Sequence, residues 1–195
     1  MRVAVTGMGG DLGTRVARIL DADERVIDLL GIDVEPPRRH LRRAVFHRID
    51  PLDRDRTVAV LAEFAPSVLV HLGVYEPYAR VEPALATSRT AIGAVAALEG
   101  ARRGGELDSV VVRSGIEVYG RGRRAPVRPD ESFPPDPPSP FGDSLLHVER
   151  VARDGAARAG AAVGLLRLAP VVGPHVPSPL GRVLRLPAVP VPAVG

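Results

Sequence analysis

Short apolar runs alternate along this chain with longer stretches in which apolar residues recur every three or four positions. Residues 2–6 read as a short buried strand ending in glycines. Residues 11–20 read as a helix whose apolar positions Leu12, Val16, Ile19 and Leu20 share one face. The strand signal returns at 26–32, 45–49, 67–72 and 108–114, and helical stretches fall at about 53–64 and 81–103. A last helix is predicted at 144–159, followed by a strand at 163–168. Strands alternating with helices form βαβ units, so the pattern predicts an α/β fold, a Rossmann-like doubly wound parallel sheet with helices on both faces.

Composition narrows the function. The 195 residues suit one domain, or one domain plus part of another, and 45% hydrophobic residues can support a core without staples. The chain has no Cys, which excludes disulfides and Cys metal sites, and its five His show no ligand spacing, so no metal site is expected. All 26 basic residues are Arg; against 23 acidic residues they leave a charge of only +3. With no Lys or Cys and three Tyr, little titrates between neutrality and the Arg range, which lifts the isoelectric point to about 10.1 without a strong positive field. Charges of both signs are interspersed, so neither nucleic acid nor a membrane surface is expected as a partner. Uncharged apolar runs such as 91–98 are far below the roughly 18 residues a membrane span needs. The apolar start is too short for a signal peptide, so a cytoplasmic protein is expected. Fourteen of the 20 prolines lie from Pro126 onward, in a loop at 126–140 and a tail from Pro170, which mark connections rather than framework.

The strongest motif is Thr6-Gly7-Met8-Gly9-Gly10-Asp11-Leu12-Gly13, between the first strand and the first helix. Gly7 permits the tight turn, Gly10 lets a pyrophosphate approach the backbone, and Gly13 lets helix and strand pack closely. The helix start offers the N–H groups of Asp11 and Leu12 and a positive dipole end to phosphates. The other reading of these glycines is a tight turn and nothing more. Asp33 follows the second strand twenty residues after Gly13, where a carboxylate accepts from the adenosine ribose hydroxyls and disfavours a 2′-phosphate, favouring NAD over NADP. Arg38, Arg39, Arg42 and Arg43 in the next loop point the other way, or form a solvated basic loop.

In order and spacing the motifs resemble the NAD-dependent epimerase/dehydratase family, the extended short-chain dehydrogenase/reductases, over nearly the whole chain. The resemblance rests on Thr6-Gly7-x-x-Gly10-x-x-Gly13, Asp50-Pro51-Leu52-Asp53, His71-Leu72-Gly73, Val118-Tyr119-Gly120, Glu131-Ser132, Ser139-Pro140-Phe141-Gly142 and Leu166-Arg167 through Val172-Gly173-Pro174. It implies an NAD(P)-binding Rossmann domain over 1–174 and, in the proline-rich tail 175–195, the start of an incomplete substrate lobe. It also implies that Asp50, with Pro51 beside it, bonds the adenine amino group, and that Leu72, Gly73 and Val74 line the nicotinamide ribose. On its residues alone, Asp50 is equally a turn former or cap ahead of the helix at 53. A sugar-type substrate and a homodimer through helices near 84–101 and 145–159 are further implications; burial within one subunit explains the same small and apolar residues.

The catalytic machinery departs from the family. Its Tyr-x-x-x-Lys pair falls on Phe141 and Leu145, and neither side chain exchanges a proton or carries charge. The family's catalytic Ser or Thr falls on Gly115, with Ser114 one residue earlier, and a usual Asn falls on Thr90. Ser114 and Tyr75 are the remaining catalytic candidates, with Glu76, Tyr78 and His147 nearby in position; each is equally an ordinary structural residue. The sequence therefore predicts a dinucleotide-binding member of the family with impaired or atypical hydride chemistry, or a non-enzymatic NAD(P) sensor or partner-binding module.

Overall fold

The computed structural model describes residues 1–77, 81–120 and 128–169. In chain order the elements are β1 (Arg2–Thr6), α1 (Asp11–Ala22), β2 (Asp28–Asp33), β3 (Ala44–Arg48), α2 (Arg54–Phe64), β4 (Val68–His71), α3 (Pro83–Arg103), β5 (Ser109–Gly115), a 3₁₀ turn (Ile116–Tyr119), α4 (Pro140–Ala159) and β6 (Ala162–Leu168). The six strands form one parallel sheet in the order β3-β2-β1-β4-β5-β6. The chain moves outward from β1 in both directions, so the strand order reverses between β1 and β4. Register brings Thr6 level with Ile32 and His71, and the loops following these strands open onto a shared crevice.

The predicted α/β doubly wound sheet is the observed one. Expected and observed strand limits differ by no more than two residues. The last helix starts four residues earlier than its periodicity suggests. Ser139 Oγ accepts from Gly142 N at 3.2 Å, capping the helix, and Pro140 occupies the first turn, where its missing N–H leaves no intrahelical bond unmade.

Two cores flank the sheet. One packs α2, α3 and α4 against it through buried Leu61, Leu98, Val110, Val112 and Val148. Small residues set the spacing: a Cβ on Gly100 would come within 2.9 Å of Val58 Cα, and one on Gly155 within 3.1 Å of Leu98 Cδ1. The small and apolar residues of α3 and α4, including Ala94, Ala97, Ala101, Ala152 and Ala156, are thus buried inside this chain. The second core sets α1 on Val3, Val5 and Leu29, with Met8 wholly buried beneath the turn after β1. Among the described residues no helix is long and apolar enough to cross a membrane. The expected boundary at 174/175, the tail 175–195, Val172-Gly173-Pro174 and Tyr78 lie outside the described residues.

Candidate functional site

The β1–α1 turn is built by its glycines, each for a different reason. Gly7 has φ +78°, and a Cβ there would lie 2.6 Å from Gly73 N. A Cβ on Gly13 would come 2.8 Å from Gly7 C and from Met8 Cα, so α1 closes against the turn backbone only because Gly13 has no side chain. Gly10 is different: a Cβ there would meet only Gly7 O at 3.6 Å. Gly10 caps α1 in extended conformation (φ −64°, ψ 168°) with no side-chain cap, leaving the first-turn N–H groups open to an incoming acceptor. Packing within the chain thus explains Gly7 and Gly13 but leaves Gly10 unexplained, while a phosphate at the start of α1 explains it.

A cavity of about 870 Å³ runs from this turn along the ends of β2, β4 and β5. Gly7, Gly10, Asp11, Leu12, Gly13, Asp33, Leu72, Gly73, Val74 and Tyr75 line it. Its size suits a dinucleotide or a sizeable part of one.

Asp33 ends β2 and is half-buried. Its Oδ2 accepts from Gly9 N at 2.8 Å and its Oδ1 from Val34 N at 2.6 Å, with Tyr75 Oη at 3.4 Å. Burial pushes the carboxyl above its ordinary range, and the donated hydrogen bonds oppose that rise. Tyr75 spans the crevice: its N–H donates to Thr90 Oγ1 at 3.0 Å and its ring lies 5.6 Å from the Arg89 guanidinium. Burial, followed by the Asp33 charge, pushes its phenol well above the usual value. The raised phenol favours the protonated hydroxyl, placed as a hydrogen-bond donor to Asp33.

Asp50 and Pro51 do not line the cavity. Asp50 is paired with Arg89 and accepts from Leu52 N at 3.1 Å, which holds its carboxyl below the ordinary value, Arg89 contributing most. Pro51 supports α3 beneath Gly93. Helix α2 is capped by Asp53, whose side chain accepts from Arg56 N. Of the four arginines in the β2–β3 connection only Arg38 lines the cavity. The Arg43 guanidinium donates to the carbonyl oxygens of Leu20, Asp21, Asp23 and Val26, closing the end of α1.

Ser114 is also outside the cavity lining. It is buried, and its Oγ donates to Glu149 Oε1 at 2.7 Å. Arg167 grips Glu149 through Nε (2.8 Å) and Nη2 (2.7 Å), and its Nη1 donates to Tyr119 Oη at 2.7 Å. This network fastens α4 to β5 and β6. A charged residue on the otherwise apolar face made by Leu145, Val148, Ala152 and Ala156 was its signal in the sequence. Phe141 and Leu145 belong to an apolar cluster with Val74, Val118, Tyr119 and Leu146, and Leu145 is 1% exposed. Sequence reasoning also passed over three arginines that line the cavity, Arg48, Arg89 and Arg113; Arg113 donates to Glu76 at 2.5 Å. No cluster of metal-ligating residues occurs among the described residues.

A parallel sheet with a glycine turn, an open helix start and a crevice at its strand-order reversal defines a Rossmann-like α/β protein. Residues 3–187 match the model of the NAD dependent epimerase/dehydratase family, and the chain belongs to that family. It is 31% identical over 191 residues to a UDP-glucose 4-epimerase of Azospirillum brasilense, covering 93% of this chain and 51% of that protein. The chain thus spans about half the length of this curated relative. The UDP-glucose 4-epimerase of Thermus thermophilus, solved with NAD, superposes with a TM-score of 0.74 at 26% identity, covering 94% of this chain and 60% of that one. MoeE5, solved with UDP-glucose and NAD, gives 0.75 at 26% identity, covering 95% and 60%. NAD, the cofactor expected from the sequence, is the one bound in both solved structures.

Proposed function

We propose that this chain binds NAD across the C-terminal edge of its sheet without the proton-transfer machinery for hydride exchange on a sugar hydroxyl. The observation that carries the reading is Gly10, whose missing side chain no packing inside the protein requires, facing a cavity of about 870 Å³. In this reading the diphosphate rests on the N–H groups of Asp11 and Leu12, the adenosine lies toward Asp33, and the nicotinamide ribose lies along Leu72, Gly73 and Val74. When bound, NAD supplies a hydride acceptor; the chain's residues bind and orient it.

The residues that stand at the family's catalytic positions support the second half of the proposal. A carbinol can give up hydride only if a base takes its hydroxyl proton. Phe141 and Leu145 have no proton to exchange and are packed in an apolar cluster. Ser114 is committed to Glu149, and burial favours the protonated hydroxyl of Tyr75 beside Asp33. The similarity to UDP-glucose 4-epimerases makes a nucleotide sugar the substrate class to test. Incubating the chain with NAD and UDP-glucose is expected to give cofactor binding and no galactose isomer; isomer formed at an ordinary epimerase rate contradicts the proposal.

A further inference from the structure

The side chain of Tyr75 crosses the groove assigned to the dinucleotide. Its backbone follows Leu72, Gly73 and Val74 after β4, yet its Oη lies 3.4 Å from Asp33 Oδ1 at the end of β2. In the sheet β1 stands between those two strands. Neighbouring strands lie about 4.8 Å apart, so β2 and β4 are separated by about 10 Å, and the phenol spans that gap past the end of β1. Tyr75 is fastened at its backbone, where its N–H donates to Oγ1 of the buried Thr90 at 3.0 Å. The next side chain, Glu76, accepts from Arg113 Nη2 on β5 at 2.5 Å. The phenol end is held more weakly, since 3.4 Å exceeds the usual range of about 2.5–3.0 Å for an O–H···O bond. The backbone is therefore the fixed end of Tyr75 and the ring the movable one.

At Asp33 this arrangement meets the ligand. A carboxylate has about four acceptor positions. Gly9 N donates to Oδ2 at 2.8 Å, Val34 N donates to Oδ1 at 2.6 Å, the Glu35 N–H adds a third bond, and the Tyr75 hydroxyl takes a further position. The backbone donors belong to the fold and stay when a ligand enters. An adenosine ribose hydroxyl that donates to Asp33 needs the position that the phenol holds.

We propose that Tyr75 is a latch on the cofactor groove: in the free protein its hydroxyl stands in for a ribose hydroxyl on Asp33, and a dinucleotide binds by displacing it. The inference rests on the reading that the cavity holds a dinucleotide. A ligand that has to open the latch binds more weakly, by the fraction of chain already open. The test is calorimetric titration of the full chain with NAD, 5′-ADP and 2′,3′-dideoxy-ADP, repeated on Tyr75→Phe and Tyr75→Leu. Tyr75→Phe keeps the ring and loses the hydroxyl alone, so it is expected to fold as the unaltered chain does. It is expected to bind NAD and 5′-ADP about three- to tenfold more tightly, the worth of one competing hydrogen bond. Tyr75→Leu, which also removes the ring, gains at least as much. The dideoxy analogue has no hydroxyl to offer Asp33, leaves the latch closed, and gains nothing in Tyr75→Phe. NAD affinity unchanged or weakened in both variants overturns the latch while leaving the NAD reading intact, and weakening in Tyr75→Leu alone shows the ring to be a platform for the ligand and overturns it too. An equal gain for the dideoxy analogue overturns the competition at Asp33. Failure of the unaltered chain and both variants to bind NAD or 5′-ADP overturns the cofactor reading itself.

Discussion

Gly10 and Gly13 lie on the same turn, three residues apart, and the structure assigns them opposite sensitivities. A methyl group on Gly13 would sit 2.8 Å from Gly7 C and Met8 Cα, backbone atoms that cannot swing aside. Forcing α1 off the turn also disturbs Met8, which is fully buried, so Gly13→Ala is expected to cost about 3 kcal/mol or more, at the upper end of overpacking costs. A methyl group on Gly10 meets only Gly7 O at 3.6 Å, an ordinary contact, and the backbone there is already in a region open to Ala. Gly10→Ala is expected to change stability by no more than about 0.5 kcal/mol. Its effect falls on the ligand: displacing a diphosphate from the start of α1 loses one or two charge-assisted hydrogen bonds, a drop in affinity of roughly 10- to 1000-fold. Urea denaturation and calorimetric titration with NAD, run on both variants, separate the two effects. Gly10→Ala that binds NAD like the unaltered chain, or unfolds as readily as Gly13→Ala, refutes the reasoning.

Three further outcomes follow from buried groups. His71 is buried, with Nδ1 2.7 Å from Thr6 Oγ1, and burial lowers its pKa to about 4. The unfolded chain therefore takes up a proton as pH falls below about 6.5 while the folded chain does not. Stability present above that pH is lost progressively toward pH 4, by about 3 kcal/mol; denaturation midpoints across this window should fall for the unaltered chain and stay flatter for His71→Asn. Glu149→Gln leaves Arg167 facing a neutral amide in a half-buried site, and a loss of about 3 kcal/mol in urea denaturation is expected; a loss below about 0.5 kcal/mol would show that the pair does not fasten α4. Phe141→Tyr is expected to fold normally, whereas Leu145→Lys buries an ammonium in an apolar cluster and costs more than about 2 kcal/mol. The double variant is expected to show no sugar oxidation with NAD, and turnover from it would show that the rest of the catalytic site is intact.

The sheet was legible because its signals are local. Apolar runs of strand length, helical spacing between them and glycines at the first turn point to a doubly wound parallel sheet, whereas the strand order itself comes from the pairing seen in the structure. Pro140 misled because a proline in a proline-rich stretch reads as loop, whereas its position just after the Ser139 cap makes it the first helical residue. The candidate site was only partly legible. Gly7, Gly10, Gly13 and Asp33 stand at fixed offsets from elements visible in the sequence, and they line the cavity together. The ion pairs around them were not visible: Asp50 meets Arg89, 39 residues away, and Glu76 meets Arg113, 37 residues away. Periodicity carries no information about such pairings, which arise from the convergence of β4, β5 and α3 at one edge of the sheet. Ser114 illustrates the same limit. Its place at a strand end suits a catalytic hydroxyl, yet it lies on the α4 face of β5, where it donates a hydrogen bond to Glu149.

Calorimetric titration of the unaltered chain with NAD tests the central claim most directly. The account predicts saturable binding at one site per chain, abolished when Gly10 is replaced by Val. Heats indistinguishable from dilution at NAD concentrations in the millimolar range would contradict it, and would leave the open start of α1 and the cavity before it without the ligand proposed for them.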